Sequence, residues 1–101
     1  MASRREEQQE NARLRVMFLL SEDPDISTRG LAKAVGISNG SAYYVLKALI
    51  AKGFVKLENF NANPQKENYK YFLTPAGIRE KSELTHRFII RKREEYQQLR
   101  L

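Results

Sequence analysis

The stretch from Leu31 to Val55, LAKAVGISNGSAYYVLKALIAKGFV, limits the possible folds more than any other part of the chain. Apolar residues recur at helical spacing in two runs, first Leu31, Ala32 and Val35, then Val45, Leu46, Leu49 and Ile50. Each run stops at a glycine, Gly36 and then Gly53. A residue without a Cβ takes up the left-handed conformation that ends a helix at no steric cost. Ser27 or Thr28 suits the N-cap of the first helix, which runs to about Val35, and Ser38 suits the N-cap of the second, which runs to Lys52. Two short helices joined by a tight glycine-containing turn have the spacing of a helix-turn-helix.

After Gly53 the apolar period changes from helical to two. FVKLENF (54–60) and YKYFLT (69–74) alternate, with Phe54 or Val55, and Tyr69, Tyr71 and Leu73, directed inward. The segment NANPQKEN between them is rich in turn formers, so the two strands make a hairpin. Thr74 and Pro75 then restart a helix, threonine as cap and proline in the first helical position. This last helix runs to the C-terminus, roughly 37 Å at the standard rise per residue. At the other end, residues 3 to about 21 form a helix that begins polar and becomes apolar on two faces, until Pro24 breaks the chain in SEDPD. Ala12, Val16, Leu19 and Leu20 mark one stripe, and Leu14, Met17 and Phe18 the other. A helix apolar on two faces needs two covers, here expected to be the core on one side and a second subunit on the other.

The order helix, helix, helix, strand, strand, long helix is a mainly α chain with a small β-hairpin: a winged helix-turn-helix flanked by terminal helices. The expected divisions are 1–21 for the N-terminal helix, 22–74 for the winged core and 75–101 for the C-terminal helix, all within one domain. Along the last helix Ile78, Ser82, Thr85, Ile89, Lys92, Tyr96 and Leu99 repeat at spacings of four and three, thickened by Leu84 and Phe88. That seam is too polar for an autonomous coiled coil but adequate against a partner's terminal helix. The expected contacts between subunits of a homodimer are Leu14, Met17, Phe18, Leu84, Phe88, Ile89, Tyr96 and Leu99.

Charge and composition narrow the function. Lysine and arginine number 18 against 12 acids, a net charge of +6, and the isoelectric point is about 9.8. Such a balance favours a polyanionic partner, nucleic acid before an anionic membrane. The absence of cysteine removes disulfide scaffolds, thiol nucleophiles and cysteine-ligated metals. With His86 the single histidine, histidine metal sites and acid–base dyads have little to draw on, so neither a metal nor a cofactor is expected. No nucleophile–base pair, carboxylate pair or phosphate loop occurs at working spacing, and an enzyme is not expected. The opening MASRREEQQENARLR has no apolar run after its arginines and no stretch reaches the length of a membrane span, which points to a cytoplasmic protein.

Inside the helix-turn-helix, Leu31, Ala32, Val35, Ile37, Ala42, Val45, Leu46 and Leu49 form the inward set, with Ala32 and Ala42 small where the helices cross. Asn39, Gly40, Tyr43, Tyr44 and Lys47 then face outward, with Ser38 and Ser41 at the mouth. Readers of the major groove place the N-terminal half of the second helix against base edges. Asparagine bonds adenine bidentately, serine suits any base edge, and lysine suits guanine or phosphate. Small residues let the backbone approach closely, and the helix N-terminus favours phosphate. Tyrosine supplies a phosphate hydrogen bond or a contact with a thymine methyl. The alternatives are plain: SNGS also reads as a simple N-cap run, either Tyr43 or Tyr44 also reads as a core residue, and Tyr44 either faces outward or leans into the base of the wing.

Arg29 and Lys33, on the preceding helix, either clamp flanking phosphates or belong to a solvated face. On the wing, Lys66 at the tip and Lys56 and Lys70 on the strands suit phosphate contact rather than base reading, because minor-groove reading most often uses arginine, or belong to a merely solvated loop. His86 reads as structural or exposed. The run RKREE (91–95) alternates its charges and reads as the wet side of the last helix.

The segments GLAKAVGISNGSAYYVLKALIAKGFV and YKYFLTPAGI resemble the winged-helix core of the MarR family of bacterial transcriptional regulators. The junction of Leu73, Thr74 and Gly77 is a recurrent feature of that family. More narrowly, the chain is similar to the short regulators called EPS-associated, found in exopolysaccharide and capsule gene clusters. The resemblance runs from about Leu14 to the end and implies a dimeric regulator bound to a pseudo-palindromic site in double-stranded DNA. Two departures bear on it. The family's acidic–arginine wing motif has no counterpart in NPQKEN (63–68), and the chain is shorter than members whose extra helices enclose a ligand cavity, so a response to a phenolic effector is not implied. A rival reading keeps the winged helix but makes it a protein-interaction module, with Tyr43 and Tyr44 as hot-spot aromatics.

Overall fold

Three helices begin in the same way, on a hydroxyl residue in extended backbone. In the computed structural model, which describes residues 4–59 and 69–100, Ser27 accepts a hydrogen bond from the Gly30 amide at 2.9 Å. Ser38 accepts from the Ser41 amide at 3.1 Å, and Thr74 accepts from the Gly77 amide at 3.0 Å. Each bond satisfies one amide that the first helical turn leaves without an intrahelical partner. Ser27 therefore caps the second helix, and the alternative, Thr28, is its first residue. Gly36 and Gly53 both lie in the left-handed region, at φ 81° and 78°.

The elements are α1 (Arg4–Glu22), α2 (Thr28–Val35), α3 (Asn39–Ala51), β1 (Val55–Asn59), β2 (Tyr69–Leu73) and α4 (Pro75–Leu99). The strands pair antiparallel, with Val55 opposite Leu73 and Leu57 opposite Tyr71. The wing loop falls outside the described residues, and Lys66 with it. The base of the hairpin is tied to its neighbours: the Tyr71 amide donates to the Pro24 carbonyl at 3.3 Å, and the Thr74 amide donates to the Phe54 carbonyl at 3.0 Å. The Thr74 hydroxyl also donates to the Gly53 carbonyl at 2.6 Å. The start of α4 is thus fixed to the exit from α3.

One core collects residues from all four helices and the first strand: Val16, Met17 and Leu20 from α1, Leu31 and Ala32 from α2, Ala42, Leu46 and Leu49 from α3, Val55 from β1 and Leu84 from α4. Val35, Val45, Tyr71 and Leu73 pack against it while keeping partial exposure. Ile37 is also only partly buried.

Two residues expected between subunits are corrected by this arrangement. Met17 is 0% exposed and Leu84 2% exposed within the single chain. The second cover that α1 requires is supplied largely by its own chain, because α1 packs against α2, α3, β2 and α4. Leu14 likewise packs against the core. Phe18, Ile89, Tyr96 and Leu99 remain outside, at 49, 48, 63 and 85% exposure, and Phe88 is half-buried. The molecule measures 60 × 27 × 21 Å. At about 1.5 Å per residue, α4 spans more than either short axis, and its last turns are exposed throughout.

Polar groups fasten α4 back to α1. Arg91 donates to a Glu10 carboxylate oxygen at 2.9 Å and to the Asn11 side-chain oxygen at 3.0 Å. Arg87 lies 3.5 Å from the other Glu10 oxygen. The Glu10 and Arg91 side chains are 22% and 20% exposed, so the pair is more sheltered than an ordinary surface bridge. Glu10→Gln is expected to lower stability by about 1–2 kcal/mol, the scale of a hydrogen bond to a charged group. A urea midpoint unchanged in low salt would show that the clamp contributes nothing to folding.

Candidate nucleic-acid interface

The exposed face of α3 follows from its periodicity. Ala42, Leu46 and Leu49 point into the core, which turns Asn39, Gly40, Tyr43 and Lys47 to solvent. The first turn is held by a small hydroxyl network, in which Ser38 accepts from the Ser41 amide and donates to the Ser41 hydroxyl at 2.9 Å. That network uses the two serines on each other and leaves the Asn39 side chain, at the first helical position, exposed. A Cβ built on Gly40 meets nothing within 4 Å. Its missing side chain is not needed for packing and leaves a flat spot on the outer surface.

Further along, the Lys47 ammonium stands over the Tyr43 ring, 5.3 Å from its centroid. Tyr43 is 56% exposed and Tyr44 75%. Tyr44 therefore does not lean into the base of the wing. It lines a cleft of about 720 Å³ between α3 and the N-terminal half of α1, beside Arg5, Gln8 and Gln9. The Nε atom of Arg13, in the same lining, is buried without a hydrogen-bond partner. A second cleft, of about 820 Å³, lies between α1, the end of α2 and α4, lined in part by Leu14, Phe18, Leu19, Val35 and Phe88.

The cations divide by their partners. On the hairpin, Lys56 sits 2.8 Å from Glu58. That hydrogen bond and the adjacent negative charge hold the Lys56 ammonium above its ordinary pKa. Lys70 lies 3.3 Å from Asp25 at the α1–α2 turn. Both strand lysines are thus engaged by carboxylates of their own chain. Arg29, Lys33 and Lys47 are exposed on α2 and α3 and form no ion pair among the described residues. An unpaired cation is the kind that can neutralise phosphate without first breaking an internal bridge.

The expected reading residues Ser38, Asn39, Gly40, Ser41, Tyr43 and Lys47 come together along the cap and first two turns or so of α3, with Arg29 exposed on the neighbouring element. The structure moves Tyr44 to the side of that surface and Lys70 into an ion pair. The stacking of Lys47 on Tyr43 was missed from sequence, although their spacing of four residues on one helical face was the available signal. Among the described residues no group of three or more His, Asp or Glu lies together as a metal site. No described helix is long and apolar enough to cross a membrane.

Comparison with known proteins agrees with this geometry. The family described as winged helix-turn-helix DNA-binding matches residues 9–56, the span from α1 into the first strand. No curated protein matches the chain by sequence. Among solved structures, Staphylococcus aureus MepR in complex with DNA is similar at a TM-score of 0.67 and 19% identity, over 89% of this chain and 61% of MepR. The adhesin competence repressor AdcR of Streptococcus pyogenes is similar at 0.66 and 23%, over 89% of this chain and 65% of AdcR. A MarR-family transcriptional regulator of Silicibacter pomeroyi is similar at 0.65 and 22%, over 85% of this chain and 56% of its own. The chain spans less than two-thirds of the length of these solved proteins. With the matched family and its own element order of three helices, a two-stranded hairpin and a long helix, the chain has the winged helix-turn-helix fold.

Proposed function

We propose that this protein is a MarR-type transcriptional regulator that binds double-stranded DNA as a homodimer, with α3 in the major groove. The observation that carries the reading is the outer face of α3, where Asn39, Gly40, Tyr43 and Lys47 are exposed together on a helix anchored by Ala42, Leu46 and Leu49. A helix of this size fits the major groove, and its first turns are the part that meets base edges there. The net charge of +6 and the unpaired Arg29 and Lys33 supply the sequence-independent attraction to phosphate. The similarity to MepR, solved in complex with DNA, supports DNA as the partner.

Pairing of two subunits is supported by Phe18, Ile89, Tyr96 and Leu99, which lie exposed on α1 and on the long projecting α4. Phe88, half-buried at the edge of the second cleft, extends the same surface. Two subunits joined there would present two copies of α3 to successive major grooves of a pseudo-palindromic operator. The assignment of exopolysaccharide or capsule genes as targets rests on the overall likeness of the chain, from about Leu14 to its end, to the short EPS-associated regulators. A cytoplasmic location goes with a DNA target.

The protein is expected to retard duplex DNA with an affinity that falls linearly on a log–log salt plot, by about 0.9 per phosphate neutralised. Asn39→Ala is expected to abolish discrimination between a selected operator and random duplex, leaving the thermal midpoint nearly unchanged. A variant with full sequence preference would remove Asn39 from the reading set. A protein that retards no duplex, yet captures a protein partner through Tyr43 and Tyr44, would favour the interaction-module reading instead.

A further inference from the structure

We propose that Tyr43 and Lys47 act as one composite reading unit, with the tyrosine ring on a thymine methyl and the ring-held ammonium on a guanine no more than two base pairs away. The inference rests on the reading of α3 as a major-groove helix and specifies what that helix reads. Its basis is the position of the Lys47 ammonium, 5.3 Å above the Tyr43 ring centroid, on a face with no other aromatic–cation pair among the described residues. A lysine that serves only as a phosphate clamp works at the full extension of a flexible stem. Here the stem is folded back by one helical turn, and the charge is held over a ring that is itself exposed and outside the core. Cation and ring are therefore presented together.

The chemistry of the groove floor then selects the partners. Thymine alone projects a methyl group into the major groove, and an aromatic edge gives it an apolar contact. Guanine offers two adjacent acceptors, N7 and O6, to a positioned ammonium. Adenine sets an amino donor beside its N7, which repels the same charge. The separation of ring centroid and ammonium is about one to two base-pair rises of ~3.4 Å, so the two contacts fall on adjacent or next-but-one pairs. Tyr44 is excluded from the unit because it lies toward Arg5 and Gln8 of α1.

The test uses duplexes that the full-length protein selects from a random pool, remade with deoxyuridine at each thymine in turn and 7-deazaguanine at each guanine. One deoxyuridine is expected to weaken binding about fourfold, the contribution of one buried methyl. One 7-deazaguanine within two base pairs of it is expected to weaken binding about tenfold. Tyr43→Ala should lose the deoxyuridine penalty and shrink the deazaguanine penalty, while Tyr43→Phe, which retains the ring, keeps both. Lys47→Met should lose only the deazaguanine penalty. The unit is overturned if Tyr43→Ala retains the deoxyuridine penalty, if the sensitive guanine lies farther away, or if no thymine is sensitive. A protein that binds duplex with no preferred sequence also overturns the unit but leaves DNA binding standing. Absence of any salt-dependent binding removes the functional reading beneath it.

Discussion

Replacing Gly77 with alanine is expected to destabilise the protein by about 3 kcal/mol or more, although the same change at an open helical position would stabilise it. A Cβ at Gly77 would overlap the Phe54 carbonyl oxygen and stand 2.9 Å from the Phe54 carbonyl carbon. Neither side can give way cheaply. The Phe54 carbonyl accepts from the Thr74 amide at 3.0 Å, and the Phe54 amide donates to the Leu49 carbonyl at 2.9 Å. Thr74 is also the cap of α4 and bonds the Gly53 carbonyl. The added methyl must therefore separate the start of α4 from the end of α3, breaking the cap or the hairpin base. Against a total of about 5–15 kcal/mol for a domain of this kind, such a loss is large. Gly40 is the internal control, since nothing lies within 4 Å of its Cβ. Gly40→Ala should raise the urea midpoint slightly while Gly77→Ala lowers it sharply. A neutral result at Gly77 would mean that α4 does not approach Phe54 so closely.

Leu84→Ala is expected to cost about 2–5 kcal/mol, the range for emptying a buried leucine site. Leu84 is 2% exposed and belongs to the same cluster as Met17, Leu20 and Leu46. The deficit should persist at dilutions where no oligomer survives, because the side chain is covered by its own chain. Leu99, at 85% exposure, offers the contrast. Leu99→Ala should leave the unfolding of the isolated chain unchanged and affect only association, if that end of α4 meets a second copy. Unfolding followed at two protein concentrations, with the assembly state measured by sedimentation, separates the two behaviours. A Leu84→Ala variant as stable as the parent when dilute would return Leu84 to an interface between copies.

The reading of the helix starts was accurate because caps are local. Ser38 bonds an amide three residues away, as do Ser27 and Thr74, so the pattern of hydroxyl residue, turn and apolar run contains the whole interaction. The inward and outward faces of α3 were legible for a similar reason. Once Leu46 and Leu49 are fixed inside, helical geometry alone turns Asn39, Gly40, Tyr43 and Lys47 outward. Tyr44 escaped that argument because it stands at the flank of the helix, where the neighbouring element decides its surroundings. The cleft beside the N-terminal half of α1 gives it an exposed place there.

The wing lysines illustrate the same limit in electrostatic form. Lys56 and Glu58 are two apart on one strand, and their pairing was within reach of the pattern. Lys70 and Asp25 are separated by the whole helix-turn-helix, and only the folded chain brings them to 3.3 Å. A basic residue in sequence is thus not yet a charge available to phosphate.

The sequence by itself determined the approximate extent of each helix, the hairpin formed by the two strands and the face of α3 that meets solvent. These follow from interactions spanning four residues or fewer, or from the periods of helix and strand. Only the tertiary structure decided that Met17 and Leu84 lie in the core while Phe18 and Ile89 stay outside, and that Arg91 closes on Glu10 across 81 positions. A helix that is apolar on two faces has two equally hydrophobic stripes. The hydrophobic effect requires that apolar surface be covered but does not specify the covering element, and that choice depends on where the distant α4 comes to rest.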